Sequence, residues 1–114
     1  MDMQLKARVR AELFRCAIAG KFLTYEDFFH RIHPGTKMGN FPYQEHLKKI
    51  AEEEKSLGYP DITFMVCGKE SGLPHWIDGR DASSGPDATQ INFLQKGTDE
   101  VIKLYCPPGT ANPY

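Results

Sequence analysis

The chain has little of what marks a disulfide scaffold, a membrane span or a common cofactor site. It carries three cysteines in 114 residues, Cys16, Cys67 and Cys106. Their odd number and wide spacing argue against a disulfide framework and fit a reducing compartment. No apolar run approaches the ~18 residues that cross a bilayer, so no membrane partner is expected. The opening Met1-Asp2-Met3-Gln4 stretch lacks the apolar core of a signal peptide, and the expected compartment is the cytoplasm. Neither charge is in large excess: Lys and Arg number 14, Asp and Glu 15.

Chemical motifs are equally scarce. There is no CxxC pair, no HExxH, and no carboxylate–histidine cluster at ligand spacing, so no metal is expected. Gly68-Lys69-Glu70-Ser71-Gly72 is too short for a phosphate loop and opens no helix, and no GxSxG or triad spacing occurs. The pattern predicts no cofactor and no catalytic residue. One thiol remains to be weighed. Cys67 ends an apolar run, with Lys69 and His75 as its only nearby activators, whereas a reactive thiol needs a base or a positive helix end beside it. A small apolar role is the plainer reading. An enzyme built on Cys67 with His75 or Asp78 ranks third among the functions considered.

What the chain does have is uneven charge and clear helical punctuation. Through Ile50 there are nine Lys and Arg against five Asp and Glu; from Ala51 onward, five against ten. The front half can present a positive face although the whole chain does not. Leu5, Val9, Leu13 and Cys16/Ala17 recur at helical spacing and predict a helix over Met3–Ala19, stopped by Gly20. Thr24 is placed to cap a second helix, with Asp27 three residues on and Leu23 and Phe28 at staple spacing. Pro34, Gly35 and Gly39 break it. A third helix opens near Asn40 and Pro42, buries Tyr43, Leu47, Ile50 and Ala51, and stops at Leu57-Gly58-Tyr59-Pro60.

Ile62–Cys67 is rich in strand formers and too short for a helix, so it reads as a strand. A GKESG loop leads to a return strand at Leu73–Ile77, which Pro74 places at an edge. Ile91–Gln95 allows helix or strand, and Glu100–Cys106 reads as a strand. The expected fold is α+β and winged-helix-like: three N-terminal helices, a β-hairpin, then further short strand or helix segments. One domain spans residues 1–106, and 107–114 form an extended tail.

In that architecture the third helix is the reader and the hairpin the wing. Lys37, Asn40, Tyr43, Gln44 and Lys48 cluster toward the start of the third helix, with His46 and Lys49 beside them. Arg8, Arg10 and Arg31 could add phosphate contacts from neighbouring helices, and Lys69 a contact from the hairpin loop. Against this, Glu52-Glu53-Glu54 would repel a nucleic-acid backbone laid along the whole helix, so the helix would have to enter by its first turns. A solvated helix face explains the same charges without a ligand. Trp76 on an edge strand is either a core ring or an anchor for a protein partner.

From Leu23 to Gly79 the order LTYEDFF, third helix, ITFMVCGKESGLP resembles the helical DNA-binding part of alkylguanine alkyltransferases and their catalytically inactive relatives. The resemblance implies a helix–helix–wing topology and contact with nucleic acid. The reactive cysteine of that family lies in a Pro-Cys-His-Arg run. Here Met65-Val66-Cys67-Gly68-Lys69 has neither the histidine nor the arginine, so no activated thiol carries over. The leading expectation is a non-enzymatic module that touches nucleic acid as a regulator or accessory factor. The alternative is a protein-binding module such as a small inhibitor, immunity protein or adaptor. The opposed charges of the two halves also favour self-association, with a homodimer among its forms.

Overall fold

A computed structural model describes residues 2–69, 71–74 and 88–114. Its architecture is α+β: four α-helices among the described residues and a two-stranded sheet. Helix α1 (Met3–Ala19) begins at Asp2, whose Oδ1 accepts from the amides of Gln4 and Leu5 at 3.0 and 3.1 Å. It ends at Gly20, at φ 66°, where Gly20 and Lys21 donate to the carbonyls of Ala17 and Cys16. This paired closure needs a left-handed residue, which glycine adopts without strain.

Strand β1 (Leu23–Thr24) runs directly into α2 (Tyr25–Ile32). Thr24 caps α2 through Oγ1, which accepts from the Asp27 amide at 3.1 Å. Glu26 and Asp27 sit in its first turn, where negative charge suits the helix dipole. Helix α3 (Gln44–Ser56) starts later than the turn signals suggest. Its cap position is Tyr43, which makes no side-chain cap bond and is fully buried. At the other end Gly58 and Tyr59 donate to Lys55 and Glu54, the same closure as in α1.

Beyond α3 the structure departs from the strand reading. Ile62–Met65 is a 3-10 turn, and only Val66–Cys67 is strand β2. Asp61 causes the difference: its carboxylate accepts from the Thr63 amide and hydroxyl, which tightens the chain before a strand can form. The turn is buried and packs against α1, α3 and the last helix, so tertiary contact overrides the strand preference of Ile-Thr-Phe. β2 pairs with β1 in parallel, Leu23 opposite Val66 and Thr24 opposite Cys67. No antiparallel hairpin occurs among the described residues. Leu73 only closes a tight loop by accepting from the Gly68 amide at 2.8 Å, and Leu73 and Pro74 are not in a strand. The rest of the expected return strand, including His75 and Trp76, lies outside the described residues, as does Arg80.

The two segments expected after it are one helix, α4 (Ala88–Tyr105). Lys96-Gly97-Thr98 resembles a break but is helical. Gly97 faces the Phe64 ring, and Leu94, Thr98 and Val101 form the buried stripe at three-to-four spacing. Residues Cys106–Tyr114 have no regular structure and fold back over the domain. The Tyr114 hydroxyl donates to the Phe64 carbonyl at 2.7 Å, and Asn112 donates to the Gln95 carbonyl at 3.0 Å. The main core joins Val9, Leu13, Cys16, Phe28, Ile32, Tyr43, Ile50, Ile62, Met65 and Val101. A smaller cluster holds Phe64 and Leu94.

Candidate nucleic-acid interface

Helices α1 and α2 bring three arginines around one carboxylate. Arg8, Glu12 and Arg15 lie four and three residues apart on α1 and so share a face. Arg31 reaches the same place from the last turn of α2. Glu12 is buried; its Oε2 accepts from Arg15 Nη1 at 2.6 Å and its Oε1 from Arg31 Nη1 at 3.4 Å. Arg8 Nη2 donates to the Ile32 carbonyl at 2.6 Å, satisfying a helix-end acceptor that has no partner within α2. Ala7 and Ala11 leave room between these side chains, and the result is a shallow cleft of about 390 Å³. Three cations against one anion leave a local excess of two positive charges. Arg15 and Arg31 remain exposed, and among the described residues most of their N–H donors are unused.

The side chains expected at an interface do not all meet here. Arg8 and Arg31 do. Arg10 instead points to α3 and pairs with Glu54, whose side chain is 1% exposed. Lys6 does the same with Glu53. Two of the three consecutive glutamates that would repel a nucleic-acid backbone are thus neutralised from α1. Tyr43 is a core residue with no exposed surface. Its ring stacks beside Phe29 and His33 and meets Phe28, Phe41 and His46 edge-on, so it offers no contact to a ligand. Burial raises the pKa of its hydroxyl, which has no hydrogen-bond partner among the described residues. Gln44 and Lys48 line a separate groove between α3 and α4. Lys37, Asn40 and Lys69 are exposed and line neither site. Arg15 and Glu12 are absent from the sequence-derived set. Their signal is the Arg8, Glu12, Arg15 spacing, the one α1 stripe on which a carboxylate stands between two arginines.

Two of the thiols are packing groups: Cys16 belongs to the core and Cys106 packs against it. Cys16 is buried beneath the arginine cluster, and burial, with Glu12 adding to it, pushes its pKa up to about 11. That rise above the ordinary thiol value means roughly a hundredfold less thiolate at neutral pH. Iodoacetamide at pH ~7.5 should therefore leave Cys16 unmodified while the half-exposed Cys67 reacts, as peptide mass mapping would show; equal rates would mean that this part of α1 is open to solvent. Cys67 lies 3.7 Å from the Leu23 carbonyl and beside the Tyr114 hydroxyl, whose pKa is raised first by burial and further by Cys67 and Tyr25. The pairing of Cys67 with His75 or Asp78 lies outside the described residues. Among the described residues no three of His, Cys, Asp and Glu come together as metal ligands, and no helix is long and apolar enough to cross a membrane. Comparison with protein-family models, curated proteins and solved structures finds no match to this chain.

Proposed function

We propose that the chain is a non-enzymatic, winged-helix-like module that contacts the phosphate backbone of nucleic acid through the α1–α2 face. One observation carries the reading: Arg8, Arg15 and Arg31 converge around a single buried carboxylate. Guanidinium forks match phosphate geometry, and Glu12 holds two of them in place before a ligand arrives. The helix order, with a short strand between the first two helices, supports the winged-helix reading, as does the resemblance over Leu23–Gly79. The contact differs from the one the sequence suggests. The α1–α2 surface replaces the first turns of α3, because Tyr43 is buried and Gln44 and Lys48 line the separate groove.

Fluorescence titrations with duplex DNA and structured RNA across a salt series test this. Affinity should fall with salt, as counterion release requires. Arg15→Gln and Arg31→Gln should each weaken binding several-fold at low salt and reduce the salt slope by about one. Wild-type protein that fails to bind at low salt would end the proposal. A second reading, a protein-binding module, is favoured by the groove between α3 and α4, whose floor is apolar and whose rims carry charge of both signs.

A further inference from the structure

The outward face of α3 has a charge order that its own copy can match. Glu45, Lys48, Glu52 and Lys55 follow one another at spacings of three, four and three, which keeps them on one stripe of the helix. All four line the groove of about 820 Å³ between α3 and α4, with Ala51 in their midst. The inward charges of α3, Glu53 and Glu54, are taken by Lys6 and Arg10. No ion pair involves the outward four among the described residues. Reversing the helix direction about its midpoint, Ile50, places Glu45 opposite Lys55 and Lys48 opposite Glu52. The sequence − + − + is therefore self-complementary in the antiparallel sense, which is the symmetry an isologous two-fold dimer demands.

We propose that α3 docks antiparallel on α3 of a second copy across a two-fold axis near Ile50, joined by Glu45–Lys55 and Lys48–Glu52 pairs in both directions. Ala51, small and half-buried beside the axis, lets the helices approach to the roughly 8–10 Å typical of packed pairs. Phe93, 63% exposed, and Tyr59, 52% exposed, line the same groove and supply apolar surface to flank the ionic stripe. A parallel arrangement would set like charges together, so the charge order selects orientation as well as partner. The surface is distinct from the arginine cleft, and the inference stands whether or not the chain binds nucleic acid.

The test is sedimentation of wild type, Lys48→Glu, Glu52→Lys and an equimolar mixture of the two variants. Wild type should dimerise. In Lys48→Glu the introduced carboxylate of each copy faces the unchanged Glu52 of the other. In Glu52→Lys the introduced ammonium faces the unchanged Lys48. Each single variant should therefore weaken self-association about tenfold to a hundredfold. In the mixture, a Lys48→Glu chain meets a Glu52→Lys chain with every contact again between opposite charges, so a heterodimer should return to near wild-type affinity. Pairing within one helix cannot produce that recovery, because mixing chains does not repair a pair inside either. A wild-type monomer would assign the groove to another occupant and overturn the proposal. So would single variants that dimerise like wild type, or a mixture that stays monomeric. Arg15→Gln should leave the dimer intact, which separates this result from failure of the nucleic-acid reading.

Discussion

Replacing Arg10 with alanine is expected to destabilise the fold by about 3 kcal/mol, the cost of leaving a buried carboxylate without its cation. Glu54 is 1% exposed, and Arg10 is the group that pairs with it. Arg10 itself is 34% exposed, so water screens part of the attraction; water does not reach the carboxylate that would be stranded. The guanidinium also lies 5.4 Å from the centre of the Phe14 ring, and that contact goes with it. The double replacement Arg10→Met with Glu54→Leu should recover most of the loss, because apolar residues of similar size need no desolvated charge. Urea unfolding gives the comparison, read as a shift in midpoint at constant slope. Equal stability of Arg10→Ala and wild type would mean that Glu54 reaches solvent. In the nucleic-acid titrations that test the proposed function, the double variant should match wild type, since Arg10 acts inside the fold rather than at the cleft.

Arg10 shows why the front-half charge excess is a correct count and an incomplete guide. The apolar stripe of α1 identifies the inward face, but a long side chain at its border can turn either way. Which way depends on Glu54, far along the chain and on another helix. Short-range signals carry further. Gly20 and Gly58 end α1 and α3 by the same hydrogen-bonded closure, and Thr24 caps α2, because each effect is settled within a few residues. The segment from Ile62 to Met65 does not read so directly. Its composition favours a strand, yet Asp61 and the surrounding helices bend it into a 3-10 turn. Tyr43 belongs to the core stripe that its spacing predicts and cannot also serve as a surface contact. The cleft itself is half readable: the α1 spacing is visible, while the approach of Arg31 depends on how α2 packs. Lys96-Gly97-Thr98 misleads for a different reason. Glycine weakens a helix locally, and the gain that retains it here lies across the interface, in the ring of Phe64.

Phe64→Ala is expected to cost about 3–5 kcal/mol, and it should reverse the effect of a second substitution at Gly97. A Cβ built on Gly97 would stand 2.5 Å from Phe64 Cε2 and 3.3 Å from Cδ2. The ring is 1% exposed, packed with Leu94 and edge-on to Phe93, so displacing it breaks those contacts. In wild type, Gly97→Ala sets an overpacking penalty of about 1–3 kcal/mol against a helix-propensity gain of about 1 kcal/mol. The penalty wins or nearly cancels the gain, and the single variant should be no more stable than wild type. With Phe64 shortened to alanine the clash is gone and only the gain remains. Adding Gly97→Ala should then stabilise the Phe64→Ala protein by up to about 1 kcal/mol. A double-mutant cycle from urea unfolding measures the coupling, whose sign is the point at issue. Additive effects would mean that α4 does not rest on the 3-10 turn through this contact. Coupling of the expected sign would identify Gly97 as the place where α4 closes on Phe64, the contact that makes one continuous helix of a sequence whose local signals divide it in two.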